Sequence, residues 1–340
     1  SKKLKFRASP LLSAFCAYNI VMMNLGYACI NMQLSYPTKW GDQPRGTSPI
    51  TTNRSMIRRT YDAKGIAYAS ELSLLNVQDL ERVIDWNEAN DIKFYRMSSD
   101  VFPWASEHGI ERLPDYEQIC EVLKRCGDKA KQYGQRITTH PGPFNKLTSP
   151  NERVVLNTIR DLEIHGQLFD LMGLPKTPYA KINIHVGAHY NDKSLAIGNF
   201  CRNFGRLSDS VQRRLTVEND DKASLYSTKE LCEEIHSRIG IPVVHDFHHH
   251  EFCTGGIDQE EALLMAAMTW GDVTPVTHYS QSRSVEHNDP KIKPQAHSDS
   301  YWEPVNTYGL DVDVMLECKH KEFGLYKMRE LINNSLKEAA

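Results

Sequence analysis

A short β-branched run that ends in a polar or metal-capable side chain, followed by a turn and an amphipathic helix, recurs along this chain. The runs are Leu25–Cys29, Ile92–Met97, Arg136–Thr139, Lys181–Ile184, Arg214–Val217, Ile241–Val244, Val273–Thr277 and Val312–Leu316. Eight strand–helix units in about 310 residues are what a (β/α)8 TIM barrel requires. A doubly wound open sheet is the alternative. The placement of polar residues favours the barrel, because only a closed barrel brings every C-terminal strand end to one place.

The helices between the runs carry their own punctuation. Ser149-Pro150-Asn151-Glu152 predicts a capping box with Pro at the first helical position and Gly173 just past the end. Ser227-Thr228-Lys229-Glu230 predicts a second, closed by Gly240, and the spacing of Tyr116, Ile119, Cys120, Leu123 and Cys126 predicts a helix ending near Gly134. The stretch from Ile30 to Ser70 reads as a long loop over the C-terminal face. The expected organisation is a single barrel domain over 25–340 behind a lead-in or extension, 1–24. Lys2, Lys3, Lys5 and Arg7 followed by the uncharged run Ala8–Thr38 have the look of a leader, but Pro10, Asn19, Asn24, Asn31 and Gln33 argue against a membrane span.

Composition narrows the function classes. Hydrophobic residues are 40% and charged residues 24%, enough apolar material for a large core. Forty basic against 43 acidic residues leave a net charge of -3, which excludes a generic polycation but not a local basic face. Eight cysteines without a C-x-x-C pair read as reduced thiols.

The chemistry lies at the strand ends. His140, His185, Glu218, Asp246, His249, His278 and Glu317 close or follow the third to eighth runs, His297 lies in the loop after the seventh, and Asp100 lies just past the second. Five imidazoles and three carboxylates at one barrel mouth are costly to bury without a cation. The set is all nitrogen and oxygen, which suits Zn2+ or Mn2+, with Mg2+ a further candidate. Eight ligands exceed one ion's needs, so two or three divalent ions are expected, the usual device for phosphoester hydrolysis. Glu218, His185 and Glu317 are expected to carry the chemistry. His189, His245, His248 and His250 are weaker candidates, since alternation sends His245 and Asp246 to opposite faces.

Basic residues gather in three stretches: Lys39, Arg45, Arg54, Arg58, Arg59 and Lys64; Arg202, Arg206, Arg213 and Arg214; and Arg283, Lys291 and Lys293. Two of these lie in loops assigned to the C-terminal face, as phosphate contacts would. Tyr27, Trp104 and Phe144 follow three different strands there and could stack on or wedge between bases.

These residues resemble the UV damage endonuclease family, (β/α)8 relatives of endonuclease IV. The likeness runs from Leu25 to about Leu325. It rests on Leu25-Gly26-Tyr27-Ala28-Cys29-Ile30-Asn31, Thr52-Asn53-Arg54, Phe102-Pro103-Trp104-Ala105-Ser106, His140-Pro141-Gly142, His185-Val186-Gly187, Val217-Glu218-Asn219-Asp220, Asp246-Phe247-His248-His249, Gln295-Ala296-His297 and Glu317-Cys318-Lys319. The resemblance implies a metal-dependent repair endonuclease acting on damaged double-stranded DNA as a monomer. Such an enzyme nicks immediately 5′ of UV photoproducts and some other lesions, leaving a 3′-hydroxyl and a 5′-phosphate. It implies a nuclear or mitochondrial location in a eukaryote and a cytoplasmic one in a bacterium. It matches His140, His185, Glu218, Asp246, His249, His278, His297 and Glu317 to metal ligands and Tyr27 to the lesion-probing tyrosine. Asn31, Arg54, Trp104, Pro143 and Phe144 join the expected DNA and lesion contacts. Three positions depart: Asp100 stands for a histidine of bacterial members, Pro143-Phe144 for Gln-Tyr, and Val276 for a lysine. Two other readings compete: a sugar isomerase of the xylose isomerase-like barrel group, needing two metals and a covered pocket, and a lesion binder without catalysis.

Overall fold

Each of the eight runs becomes a four-residue strand, and the strands close into one parallel barrel in sequence order. They are β1 (Leu25–Ala28), β2 (Phe94–Met97), β3 (Arg136–Thr139), β4 (Ile182–His185), β5 (Leu215–Glu218), β6 (Val243–Asp246), β7 (Val276–Tyr279) and β8 (Asp313–Leu316). This computed structural model describes residues 23–339, so the expectations for 1–22 lie outside the described residues.

Long helices follow seven of the strands: α1 (Arg58–Ala89), α2 (Tyr116–Tyr133), α3 (Glu152–Leu171), α4 (Lys193–Phe204), α5 in three continuous pieces (Thr228–Glu230, Leu231–His236 and Ser237–Ile239), α6 (Gln259–Met268) and α7 (Glu322–Ala339). The stretch from β7 to β8 differs. Three prolines and a glycine fall between residues 280 and 312, and only Arg283–Glu286 forms a short helix there.

Local signals explain most helix ends. Ser227 and Glu230 form the reciprocal capping box, and Gly240 closes that helix at φ 72°. Gly134 ends α2 in the same left-handed way. Two expectations need correction. The cap of α3 is Asn151, whose side chain accepts from the Arg153 N–H; Ser149 instead accepts from the Asn151 N–H, and Pro150 stays outside the helix. The stretch 30–70 is not one loop. It forms two short helical turns, and α1 begins at Arg58, with a kink at Gly65 (φ 67°, ψ -163°), a conformation that glycine adopts without a Cβ clash.

Two features of the barrel position the site. Its register pairs the Cα of His185 with that of Glu218, and Asp246 with His278, so four strand-end side chains stand at matching heights. The N-terminal end is closed by Arg136, which is buried. It pairs with Asp313 at 2.9 Å, donates to the carbonyls of Tyr179, Thr274 and Pro178, and lies near the Phe94 and Trp270 rings. The C-terminal mouth remains as the open end. Among the described residues no helix is long and apolar enough to cross a membrane.

Candidate metal centre and DNA-binding face

Glu218, 1% exposed at the end of β5, is the hub of the mouth. Its Oε2 lies 3.0 Å from His140 Nε2 and 3.8 Å from His185 Nε2, and accepts from Asn183 Nδ2 at 2.5 Å. Its Oε1 lies 3.1 Å from His278 Nδ1 and 3.4 Å from His249 Nδ1. Glu317 Oε1 is 3.2 Å from His278 Nδ1, and its Oε2 is 3.7 Å from His297 Nδ1. Asp246 caps the turn that carries His249, accepting from the His249 N–H at 2.7 Å, while His249 Nδ1 lies 2.9 Å from the Asn219 carbonyl oxygen.

Two triads emerge, His140–His185–Glu218 and Glu218–Asp246–His278, each with its donor atoms within 4.8 Å of one another. They share Glu218, as a bridging carboxylate would require. At the centre Asp246 Oδ2 is buried with no hydrogen-bond partner, while His185 Nδ1 and His278 Nδ1 face only carboxylate oxygens. Orphaned donors and acceptors at this depth are expensive. The hard nitrogen and oxygen set therefore fits divalent cations.

The electrostatics have the same origin. Burial pushes Asp246 up to about 7; the nearby Glu218 and Glu317 add to that push and His249 opposes it. Burial works against ionisation of Glu218 too, but His278, His185 and His140 outweigh it and hold the carboxyl well below the usual range. Burial alone would lower His185, yet Glu218, Asp220 and Asp246 together raise it to about 9. Burial dominates at His278, which falls to about 4. Such opposed shifts in one cleft mark a functional site.

His140, His185, Glu218, Asp246, His249, His278, His297 and Glu317 thus converge on one mouth. Asp100 does not join them. It is exposed and lines a neighbouring hollow of about 530 Å³ with Phe144, Asp161 and His165. Three weaker histidine candidates point elsewhere. His245 lies between Thr228 and Gln259, His248 Nε2 faces the Pro294 carbonyl, and His250 Nε2 faces that of Ile257. His189 has no place in either triad.

The expected DNA contacts divide sharply. Phe144 is 88% exposed beside the exposed Pro143, on the loop that follows His140. Tyr27 is fully buried; its hydroxyl donates to Asn87 Oδ1 at 2.7 Å and accepts from Asn31 Nδ2. Its ring packs on Tyr95 inside the protein, so the expectation of an exposed ring on the open face is not met. Asn31, 2% exposed, caps the turn after β1. Arg54 directs its donors to the Thr51 and Pro49 carbonyls and to Asp79, holding its own loop. Trp104 stacks on Tyr61 at 5.1 Å and donates to the Met56 carbonyl, so it braces the start of α1. In the second basic group, Arg214 is fully buried against Asp170, and Arg206 and Arg213 pair with Glu152 and Asp209. These corrections share a cause: a side chain's sequence position tells little about which layer it packs into.

Two residues in the mouth escaped sequence reasoning. Arg96 on β2 pairs with Glu317, and Lys181, immediately before β4, lies 3.1 Å from His278. Burial, with Arg96 nearby, lowers Lys181 to about 7. A charged residue inside an otherwise apolar strand run was the available signal.

A sequence model of the UV-endonuclease UvdE family matches residues 23–339. The UV-damage endonuclease of Neurospora crassa is 33% identical over 344 residues, covering 89% of this chain and 50% of that protein. The UV DNA damage endonuclease of Clostridium perfringens is 31% identical over 327 residues, covering 93% of this chain and 71% of that protein. The chain thus spans about half the length of the Neurospora crassa and Schizosaccharomyces pombe relatives. Among solved structures, SacUVDE superposes with a TM-score of 0.76 at 29% identity, covering 92% of this chain and 98% of that one. A 3-keto-D-glucoside 4-epimerase from E. coli superposes at 0.51 with 10% identity, a likeness of fold alone.

Proposed function

Because the chain belongs to the UV-endonuclease UvdE family, we propose that it hydrolyses one strand of damaged duplex DNA immediately 5′ of cyclobutane dimers, 6-4 photoproducts and some other lesions, leaving a 3′-hydroxyl and a 5′-phosphate. The observation that carries this reading is the convergence of four imidazoles on the two oxygens of one buried carboxylate, Glu218. His140, His185 and Glu218 would hold one divalent ion, and Glu218, Asp246 and His278, with Glu317 alongside, a second. His249 and His297 flank the centre and would serve a third. The ions would come from Mn2+, Zn2+ and Mg2+, and when bound would supply an activated water and charge neutralisation at the phosphate.

The chain's own groups do the rest. Glu218 bridges the two halves of the ligand set, His185 is oriented by Asp220 at 3.3 Å, and Glu317 reaches between His278 and His297. These three are the residues we assign to catalysis. Phe144 stands clear of the surface, where it can fill the gap left when a poorly stacked lesion is opened. The protein would act as a monomer.

The decisive assay is nicking of UV-irradiated supercoiled plasmid with Mn2+ and with EDTA, followed by analysis of the ends. Metal-dependent nicks carrying 3′-hydroxyls 5′ of dimers are expected. Equal nicking of unirradiated plasmid, or full activity in EDTA, would overturn the proposal. Metal-dependent interconversion of sugars without nicking would instead support the isomerase reading.

A further inference from the structure

Lys146 is a cation of the mouth that none of the chemistry above uses. It follows Phe144 on the loop between β3 and α3, and its side chain is half-buried. With His140, His185, Asp220 and His249 it lines a cavity of about 660 Å³, so it shares one space with part of the candidate metal centre.

The loop that carries Lys146 is held from two sides. On α3, the Thr158 hydroxyl accepts from the Lys146 N–H at 2.9 Å, and Asp161 accepts from Asn145 Nδ2 at 2.8 Å. On α4, the side chains of Asn203 and Asn199 donate to the carbonyls of Leu147 and Thr148. The lysine stem lies across Gly187, which sits at φ 97°. A Cβ at 187 would fall 2.7 Å from Lys146 Cδ and 3.1 Å from its Nζ, so bare backbone there gives the stem its path into the cavity.

The ammonium has no internal counter-charge. No hydrogen bond or ion pair among the described residues engages it. Asp220 is committed elsewhere, with one oxygen 3.3 Å from His185 Nδ1 and the other accepting from the Tyr226 N–H. Lys193, at the start of α4, shows the contrast, since Glu230 and the Leu225 carbonyl take up its donors. Lys222, the other cation of the lining, is exposed, so water already serves it. A half-buried charge without a partner carries a desolvation cost that an anionic ligand offsets.

We propose that Lys146 is a phosphate-binding residue that seats the nicked strand beside the scissile linkage, on the His140–His185 side of the centre. The assignment rests on the endonuclease reading above. A lysine meets phosphate as a point charge with three donors, so the contact holds the backbone and reads no base. Because the ammonium is recessed, it meets a phosphate only once a lesion is opened and the strand is drawn into the mouth. It therefore adds to the contacts that exposed loops make with any duplex.

The test is steady-state nicking of a duplex carrying one defined photodimer by the metal-loaded protein, across roughly 50–200 mM salt. Intact duplex of the same sequence serves as competitive inhibitor. Lys146→Met keeps the stem and removes the charge, and Lys146→Arg keeps the charge. For Lys146→Met, KM should rise about 10-fold at the lowest salt with kcat within about twofold of the parent. The log–log salt slope of kcat/KM should become shallower by about 0.9, and inhibition by intact duplex should not change. Lys146→Arg should restore most of the loss in KM. Should Lys146→Met fold poorly by circular dichroism, Lys146→Gln supplies the same readings. Parent-like KM and slope in the uncharged variant overturn the proposal. A loss of equal size at every salt also overturns it, because lost packing is not screened. Equal weakening of intact duplex overturns it too, since Lys146 would then be one of the general surface contacts. A parent protein that leaves the dimer duplex unnicked would refute the endonuclease reading itself, and this assignment with it.

Discussion

Replacing Phe144 with alanine tests how damage is found. The ring is 88% exposed, so almost all of its surface is available to a ligand and little of it supports the fold. An aromatic side chain can bury roughly 150–250 Å². At about 25 cal/mol per Å², the exposed share represents roughly 3–5 kcal/mol if it inserts into an opened step. Ordering the side chain costs about 0.5–1.5 kcal/mol. The remainder overlaps the roughly 1–3 kcal/mol found for base–aromatic stacks. Phe144→Ala should therefore reduce the preference for UV-damaged over intact duplex by about 5- to 150-fold. Competition binding by fluorescence anisotropy, with irradiated and unirradiated duplexes of one sequence, measures that ratio. Thermal unfolding of the variant should stay within about 0.5 kcal/mol of the parent, because an exposed ring contributes little to the core. An unchanged ratio would refute the reasoning, and so would a loss of discrimination matched by a loss of stability.

Four further outcomes are expected. Tyr27→Phe should leave lesion preference intact but lower unfolding free energy by about 1–3 kcal/mol, since Asn87 Oδ1 loses its buried donor; denaturant titration and the same competition assay separate the two effects. Glu218→Gln should lower nicking by orders of magnitude and reduce bound metal, read by plasmid cleavage and elemental analysis, because both half-sites share this carboxylate. Asp313→Asn leaves the Arg136 guanidinium buried without its counter-charge and should cost about 3–5 kcal/mol in denaturant unfolding. With many arginines engaged inside the protein, exposed Arg45, Arg59, Lys291 and Lys293 are the basic-loop charges best placed for phosphate, so the log–log salt slope should be about 3 to 4; a slope near 8 would mean that the internal ion pairs open on binding.

The barrel was legible because its evidence is local and periodic. Each β-branched run followed by a capped amphipathic helix is a statement about neighbours in the chain, and a parallel barrel follows from eight of them. The candidate ligands were legible for the same reason. A strand has period two, so alternation alone sends Asp246 inward and His245 outward, and His245 indeed lies between Thr228 and Gln259. What local pattern could not carry was the fate of side chains beyond the strand ends. Tyr27, Asn31 and Arg54 sit in motifs that look functional, but packing against α1 and the turn after β1 takes them inside. Arg96 and Lys181 look like ordinary strand charges, yet only the closed barrel lays them against Glu317 and His278, far off in sequence. Periodicity is written residue by residue, whereas the partner of a long side chain is set by which distant strand the fold brings within its reach.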